Sequence, residues 1–280
     1  MSQHNYKMNL SNSVIQGLWV GSALSSMEHL SIKSFLKHGH EYHLYTYNAV
    51  DNIPQGTILK DANEILAKDK IFTLKHGWGQ GSYAAFSDLF RYQLLHIKGG
   101  WWADTDVICV KPFDLNARYV IASSFEGAWG SPANNCVMKM PAQSKLSHHL
   151  VNTVAQYHQN RQANLTFTSL GPQLLQKAVA DLNLSKHVVS CYHFCPISWR
   201  SVESQIAYYE AASSLSRQYT KAKTLLRLIL KPWIQSDRIT TNTYAIHLWN
   251  EIWRSKQLDK SAQYHPSCLY EQLKAKYRTG

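Results

Sequence analysis

The sequence lacks several features that would assign it to common protein classes. It contains no run of 18 or more apolar residues, and its first 13 residues are too polar for a secretory signal. Its five cysteines are an odd number in a chain too long to depend on disulfides, which favours reduced thiols. We therefore expect a soluble, cytoplasmic protein.

Acidic residues are scarce beside basic ones, and the imbalance lies almost entirely in the second half of the chain. Residues 1–140 contain 12 basic and 11 acidic side chains, whereas residues 141–280 contain 17 and 7, a net charge of +10. Such asymmetry indicates an anionic partner, although an ordinary soluble surface would also account for it. No helix-turn-helix, RNP or zinc-finger motif is present, so we do not expect nucleic acid to be that partner.

The densest basic segment is residues 216–238, which combines six basic residues and one acidic residue with a run of leucines. A basic amphipathic segment of this kind can bind the surface of an anionic membrane. The alternative is an ordinary helix whose leucines face the core and whose lysines face water. A non-catalytic protein that binds a membrane surface or another anion through its basic second half is therefore one functional hypothesis.

Hydrophobic periodicity predicts an α/β fold. Residues 14–21 have the composition of a strand, residues 27–36 that of an amphipathic helix, and residues 42–47 that of a second strand, a β-α-β order that favours parallel pairing. Further helices are predicted at 61–70, 83–97, 143–158, 173–180 and 202–230, and further strands at 101–110, 119–122 and 136–140. With no repeat or linker, a single domain over residues 1–280 is expected.

Two aspartates, Asp104 and Asp106, interrupt the apolar run 101–110. An uncompensated buried carboxylate costs several kcal/mol, so a compensating charge is expected nearby. In an extended strand both side chains would point to one face, where two hard oxygen ligands can share Mg²⁺ or Mn²⁺. The alternative is a turn or helix cap without a metal.

Two other motifs are less informative. The glycines at 77, 79 and 81 do not follow a strand, so a dinucleotide-binding fingerprint is not expected. Cys191 and Cys195 lack the second ligand pair of a structural zinc site, and we predict that residues 191–195 form a strand with buried thiols.

The sequence resembles the DXD-containing glycosyltransferases that include yeast-type α-mannosyltransferases and bacterial capsule or lipopolysaccharide sugar transferases. The resemblance is carried by residues 85–95 and 99–106, and by the segments 15–21, 170–172 and 245–250. It implies a GT-A type nucleotide-sugar-binding fold (family 32-like) with a mixed, mostly parallel central sheet. It also implies a hexosyl- or N-acetylhexosaminyltransferase that retains anomeric configuration, with Mn²⁺ or Mg²⁺ as cofactor.

The same resemblance implies roles for the two halves of the domain. Residues 13–140 would bind a nucleotide-sugar donor, with a UDP-sugar favoured, and the metal. Residues 141–280 would face a glycan or lipid-linked glycan acceptor of a bacterial surface polysaccharide, with the enzyme peripheral on the inner face of the membrane as an open alternative.

The resemblance also implies roles for individual residues of the site. Asp106 would bind the metal, and Asp104 the same ion or the nucleotide ribose. Asp88 and Arg91, three residues apart on one helix face, would bind donor sugar and diphosphate oxygens, although an exposed ion pair is the simpler interpretation.

His247 would return to the metal, with Asn250 beside it, although a lone histidine in an apolar run is more often a core residue. The resemblance assigns five further residues to the donor: Asn135, Trp19, Val20, Gly171 and Pro172. Asn135 would lie beside the donor sugar, although a turn is the simpler interpretation of the pair at 134 and 135. Trp19 would stack on the nucleobase or merely fill core, and Gly171 and Pro172 would form a Gly-Pro turn.

Overall fold

A computed structural model describes residues 10–126, 132–161, 165–208 and 237–277. Its strands are β1 (Val14–Trp19), β2 (Glu41–Thr46), β3 (Ile58–Asp61), β4 (Gly100–Ala103), β5 (Val107–Cys109), β6 (Val120–Ser123), β7 (Ala133–Met140) and β8 (Ala245–His247). Its α-helices are α1 (Leu10–Ser13), α2 (Ser26–Lys37), α3 (Ala84–Ile97), α4 (Lys145–Arg161), α5 (Pro172–Asp181), α6 (Asn250–Ser255) and α7 (Leu269–Tyr277).

Six strands form the central sheet in the order β3-β2-β1-β4-β7-β6. The pairs β3-β2, β2-β1 and β1-β4 are parallel, whereas β7 runs antiparallel to both of its neighbours. The prediction of an α/β fold with a mixed, mostly parallel central sheet is therefore confirmed. The short strands β5 and β8 pair antiparallel in a second sheet.

Local sequence signals explain why helices α2 and α3 form. Helix α2 begins with a capping box, in which Ser25 accepts from the backbone of the first turn and Glu28 reaches back to the Ser25 amide. Helix α3 turns its apolar side inward, and Phe86, Phe90 and Leu94 are fully buried. It is followed by Gly99, whose φ of +65° and close approach to Ala142 leave no room for a Cβ atom.

The prediction of one continuous strand over residues 101–110 is wrong. The chain leaves the central sheet after Ala103, and the amide of Val107 donates to the carbonyl of Asp104 at 3.0 Å, which closes a turn. Strand β5 then pairs with β8 rather than extending β4. Both apolar halves of the run are buried, but they belong to different sheets. The two aspartates lie in the turn that connects these sheets.

Other predicted elements also differ from the structure. Residues 191–195 do not form a strand: Cys191–His193 is a 3₁₀ turn, although both predicted thiols are buried. The predicted helix at 61–70 is two 3₁₀ turns, Ala62–Glu64 and Lys68–Lys70, and the extended backbone of Ala67 between them interrupts the helix. The predicted helix at 202–230 begins as a π turn over Val202–Ile206, and most of its remainder lies outside the described residues.

The basic segment 216–238 also lies outside the described residues, apart from its last two positions. Across the described ranges, no helix combines the length and apolar character needed to cross a bilayer.

Candidate metal and donor site

Asp104 and Asp106 lie in the turn where the chain leaves the carboxyl end of β4. The amide of Asp104 donates to the carbonyl of Cys136 on β7 at 2.8 Å, which fixes the turn against the central sheet. The Asp104 side chain is 24% exposed, whereas that of Asp106 is 7% exposed. One carboxylate therefore faces solvent while the other is enclosed.

The enclosed carboxylate of Asp106 is bound by the segment that follows β8. Its Oδ2 atom accepts from the backbone amide of Asn250 at 2.7 Å and lies 3.2 Å from His247 Nε2. Its carbonyl accepts from the amide of Leu248 at 2.9 Å. Trp249, which lies between Leu248 and Asn250 in the sequence, has a φ of +63°. This left-handed conformation is uncommon for a bulky residue and often marks a functional site.

The two aspartates have opposite electrostatic environments. Burial raises the pKa of Asp104, and the nearby Asp106 carboxylate raises it further, although Arg91 opposes both effects. Burial would also raise the pKa of Asp106, but His247 and the Asn250 amide outweigh it and lower that pKa to about 2. Burial would lower the pKa of His247, but the Asp106 carboxylate raises it well above its usual value. When no cation is bound, both shifts favour the charged forms of Asp106 and His247, in agreement with the 3.2 Å between their side-chain atoms.

These side chains fit a divalent cation. Ligand atoms of Asp104, Asp106 and His247 all lie within 4.8 Å of one another. Two carboxylates are the hard oxygen donors that Mg²⁺ and Mn²⁺ prefer. A bound cation would also offset the repulsion that raises the pKa of Asp104. Asn250, predicted as a further ligand, contacts Asp106 through its backbone amide.

Arg91 of α3 is buried directly behind Asp104. One guanidinium nitrogen, Nη1, lies 3.0 Å from Asp104 Oδ1 and donates to the carbonyl of Asn135 at 2.6 Å. The other, Nη2, lies 3.3 Å from Asp88 Oδ1 and donates to Ser87 Oγ at 3.0 Å. Because Asp88 and Arg91 are each only 4% exposed, the simpler interpretation of an exposed ion pair is wrong.

Asp88, Asn135 and Gly171 form a second buried group beside Arg91. Asn135 Nδ2 donates to Asp88 Oδ1 at 2.7 Å. A Cβ atom on Gly171 would lie 2.7 Å from Asp88 Oδ2, so only glycine fits there. Burial raises the pKa of Asp88 to about 6, with Arg91 opposing the rise. Pro172 occupies the first turn of α5, where its missing amide hydrogen costs nothing.

Trp19 and Val20 lie at the carboxyl end of β1. Because β1 and β4 are parallel neighbours, this end of β1 lies on the same side of the sheet as the end of β4, which Asp104 follows. The indole Nε1 of Trp19 is buried and has no hydrogen-bond partner among the described residues.

Asn134, the other amide of the pair at 134 and 135, makes a local hydrogen bond. Its side-chain oxygen accepts from the backbone amide of Cys136 at 2.9 Å.

Three residues of the site were not predicted from the sequence. Trp102 Nε1 donates to Asp104 Oδ1 at 2.7 Å, and its ring lies 5.0 Å from the Arg91 guanidinium carbon. Cys136 and Cys195 lie behind His247, with their sulfur atoms 3.5 Å apart. The Trp101-Trp102 pair immediately before the aspartates was a local signal for Trp102, but no spacing links the two cysteines.

Three solved glycosyltransferase structures resemble the chain at low identity. PaToxG glycosyltransferase is 15% identical, with a TM-score of 0.44 over 89% of this chain and 86% of that chain. The apo-form glycosyltransferase GlyE of Streptococcus pneumoniae TIGR4 is 13% identical, with a TM-score of 0.47 over 96% and 61%. The UDP-bound glycosyltransferase domain from the YGT toxin is 9% identical, with a TM-score of 0.42 over 82% and 92%.

No curated protein matches the chain in sequence. Residues 25–123, about a third of the chain, match the sequence model of the family described as glycosyltransferase sugar-binding region containing DXD motif. The matched residues include Asp88, Arg91, Asp104 and Asp106 and exclude His247. Residues 25–123 of this chain are therefore similar to the sugar-binding region of DXD-containing glycosyltransferases, and Asp104 and Asp106 lie within the matched residues with the Asp-x-Asp spacing.

Proposed function

We propose that the protein is a retaining glycosyltransferase of the GT-A, family 32-like type, which moves a hexosyl or N-acetylhexosaminyl group from a nucleotide-sugar. A UDP-sugar is favoured as donor, and a glycan of a bacterial surface polysaccharide, capsule or lipopolysaccharide, as acceptor. The observation that carries the proposal is the grouping of Asp104, Asp106 and His247 within 4.8 Å, next to the buried Asp88–Asn135 pair.

Asp104 and Asp106 would hold Mn²⁺ or Mg²⁺, with His247 and Asn250 as further ligands. A divalent cation there supplies positive charge near the departing diphosphate, whose negative charge grows as the glycosidic bond breaks. The partial exposure of Asp104 supports its contact with the donor side of the site, whereas Asp106 is enclosed by His247 and the Asn250 amide.

The neighbouring residues would bind and orient the donor. Trp102 donates to Asp104 Oδ1 and the Arg91 guanidinium forms an ion pair with the same oxygen, which restricts that carboxylate to one orientation before the donor arrives. Asp88 and Asn135 offer an acceptor and an amide to sugar hydroxyls, with Gly171 and Pro172 shaping the adjacent turn. Trp19 and Val20 would contact the nucleobase, and the position of both residues at the carboxyl end of β1 and their partial exposure support this contact.

Retention agrees with the chemistry of the described site. An inverting enzyme needs a carboxylate free to deprotonate the acceptor. Asp88 and Asp104 both contact Arg91, and Asp106 contacts His247. Each described carboxylate of the group thus already has a positive partner, and none is an evident inverting base.

The experiment that tests the proposal is a screen of UDP- and GDP-sugars for donor hydrolysis in the presence of Mn²⁺. We expect cleavage of one donor class, with a UDP-sugar preferred, and its loss in Asp104→Asn. If no nucleotide-sugar is cleaved by folded protein with Mn²⁺ or Mg²⁺, the proposal is overturned.

The basic segment 216–238 suggests where the enzyme would act. We propose that it binds the inner face of an anionic membrane, because its charge is positive and polybasic attraction is worth about 1 kcal/mol per basic residue near such a surface. Flotation with anionic and neutral vesicles tests this at two salt concentrations. Salt-sensitive recovery with anionic vesicles alone is expected, and equal recovery with both would contradict it.

A further inference from the structure

His247 faces two different groups of potential metal ligands, one on each side of its ring. Its Nε2 atom lies 3.2 Å from Asp106 Oδ2. Its Nδ1 atom lies 3.9 Å from the sulfur of Cys195, which in turn lies 3.5 Å from the sulfur of Cys136. The ligand atoms of Cys136, Cys195 and His247 are all within 4.8 Å of one another, and all three residues are buried.

We propose that Cys136, Cys195 and His247 Nδ1 form a binding site for Zn²⁺, separate from the proposed Mn²⁺ or Mg²⁺ site and sharing only the His247 ring with it. Thiolates and imidazole are the ligands that zinc prefers, whereas carboxylates suit the harder cations. The chain would thus bind zinc on the thiol side of His247 and the harder cation on the carboxylate side.

Two of the three separations between the ligand atoms are close to those of tetrahedral zinc. With Zn–S bonds of about 2.3 Å and a Zn–N bond of about 2.05 Å, tetrahedral angles place two sulfurs about 3.8 Å apart and sulfur about 3.6 Å from nitrogen. The corresponding distances here are 3.5 Å and 3.9 Å. These two distances differ from the tetrahedral values by only about 0.3 Å, and the third pair, Cys136 and His247, has its ligand atoms within 4.8 Å of each other.

The backbone around the cluster already fixes its three segments. Cys136 lies on β7 and its carbonyl accepts from the Asp104 amide at 2.8 Å. The amide of His247 donates to the carbonyl of Phe194, the residue before Cys195, at 3.0 Å. The cluster therefore joins the central sheet, the segment 191–195 and β8 through pairings that exist without a metal.

The Asp106 contact supplies the outer partner that a zinc-bound histidine usually has. Metal-ligating imidazoles commonly donate their second N–H to a carboxylate, which fixes the tautomer and the ring orientation. Here Nε2 is directed at Asp106 while Nδ1 is directed at the thiols. The orientation of His247 is thus the one that a zinc ligand requires.

The charge and proton balance are also reasonable. Binding of one Zn²⁺ releases one proton from each thiol, and a third if the imidazole was protonated, so two thiolates and one dication leave a neutral buried cluster. Three protein ligands leave one position for water or another donor. Because a neutral imidazole has one lone pair, zinc on Nδ1 makes Nε2 a hydrogen-bond donor to Asp106. His247 would then bind the hard cation directly only when the zinc site is empty, and Asp104 and Asp106 would bind it when zinc is present.

Cobalt substitution tests the site without any glycosyl donor. Reduced, chelator-treated protein is titrated with Co²⁺ and then with Zn²⁺. We expect one thiolate-to-cobalt charge-transfer band at one equivalent, displaced by Zn²⁺, lost in Cys136→Ser and Cys195→Ser, and kept in Cys109→Ser, a buried cysteine elsewhere. The band should also persist in Asp104→Asn, which removes only a ligand of the hard-cation site.

A second measurement does not depend on whether the variants fold. X-ray absorption of the zinc-loaded wild-type protein should show two sulfur neighbours and at least one nitrogen neighbour. Only oxygen and nitrogen neighbours, or no charge-transfer band in reduced wild-type protein, would overturn the proposal. So would a Cys136–Cys195 disulfide that persists under reducing conditions and leaves no thiols for the metal. None of these readouts depends on transferase activity.

Discussion

The guanidinium of Arg91 lies 3.0 Å from the carboxylate of Asp104 and donates from the same nitrogen to the carbonyl of Asn135. This contact connects the helix α3 to the turn that carries both aspartates. The orientation of Asp104 therefore depends on a residue that lies in the interior of the protein.

Arg91→Lys should impair donor use although it preserves the charge. A lysine has no planar fork and cannot bind Asp104, Asn135 and Asp88 together, and each lost charge-assisted hydrogen bond is worth about 1.5–3 kcal/mol. We expect kcat/KM for donor hydrolysis to fall by at least ~10-fold.

Arg254→Lys is the matched control for that variant, because Arg254 makes an equally forked pair with Glu251 on the surface. That variant should hydrolyse donor at the wild-type rate. Wild-type donor affinity and turnover in Arg91→Lys would show that donor hydrolysis does not depend on the buried Arg91 guanidinium.

Trp102→Phe should raise the concentration of divalent cation needed for half-maximal activity. The phenylalanine keeps most of the buried ring but removes the N–H that donates to Asp104 Oδ1 at 2.7 Å. Trp101→Phe is the control, since the neighbouring indole donates to Asn12 instead, away from the aspartates. An equal shift in both variants, or in neither, would contradict the assigned role of Trp102.

Donor binding should weaken as pH falls through about 6. Burial raises the pKa of Asp88 to about 6, so this side chain is a carboxylate above that pH and a neutral acid below it. Only the carboxylate accepts hydrogen bonds with both oxygens, so KM for the donor should rise on acidification. Asp88→Asn should bind donor weakly throughout and should flatten the KM profile between pH 5 and 7; an unchanged profile would exclude Asp88.

Retention of configuration can be checked on the first-formed product. NMR of the anomeric proton, recorded before mutarotation, should show the configuration of the donor. An inverted product would require a catalytic base other than Asp88, Asp104 and Asp106.

Short-range patterns predicted the parallel β-α-β opening and singled out Asp104 and Asp106, whose ligand atoms lie close together in the structure. Apolar spacing marked α3, and the buried cost of two charges singled out Asp104 and Asp106. The turn between these aspartates was not predictable, because apolar residues flank it on both sides and look like one strand. Only the pairing of β5 with β8, contributed by a distant segment, reveals the break.

The cluster behind His247 was even less accessible to sequence reasoning. Cys191 is the nearest cysteine to Cys195 in sequence, but in the structure the Cys195 sulfur lies beside that of Cys136 on β7. Tertiary packing brings these residues together from three segments, and no local spacing encodes the contact. Burial was predictable from the apolar surroundings, whereas the partner was not.

The central claim is that Asp106 helps to bind a divalent cation that nucleotide-sugar cleavage requires. The most direct test measures donor hydrolysis by wild-type protein and Asp106→Asn across a Mn²⁺ titration, with the exposed Asp69→Asn as control. We predict that wild-type and Asp69→Asn activity disappear in EDTA and return with Mn²⁺, and that folded Asp106→Asn stays inactive at every Mn²⁺ concentration. Full wild-type activity in EDTA, or full activity of Asp106→Asn, would contradict the claim.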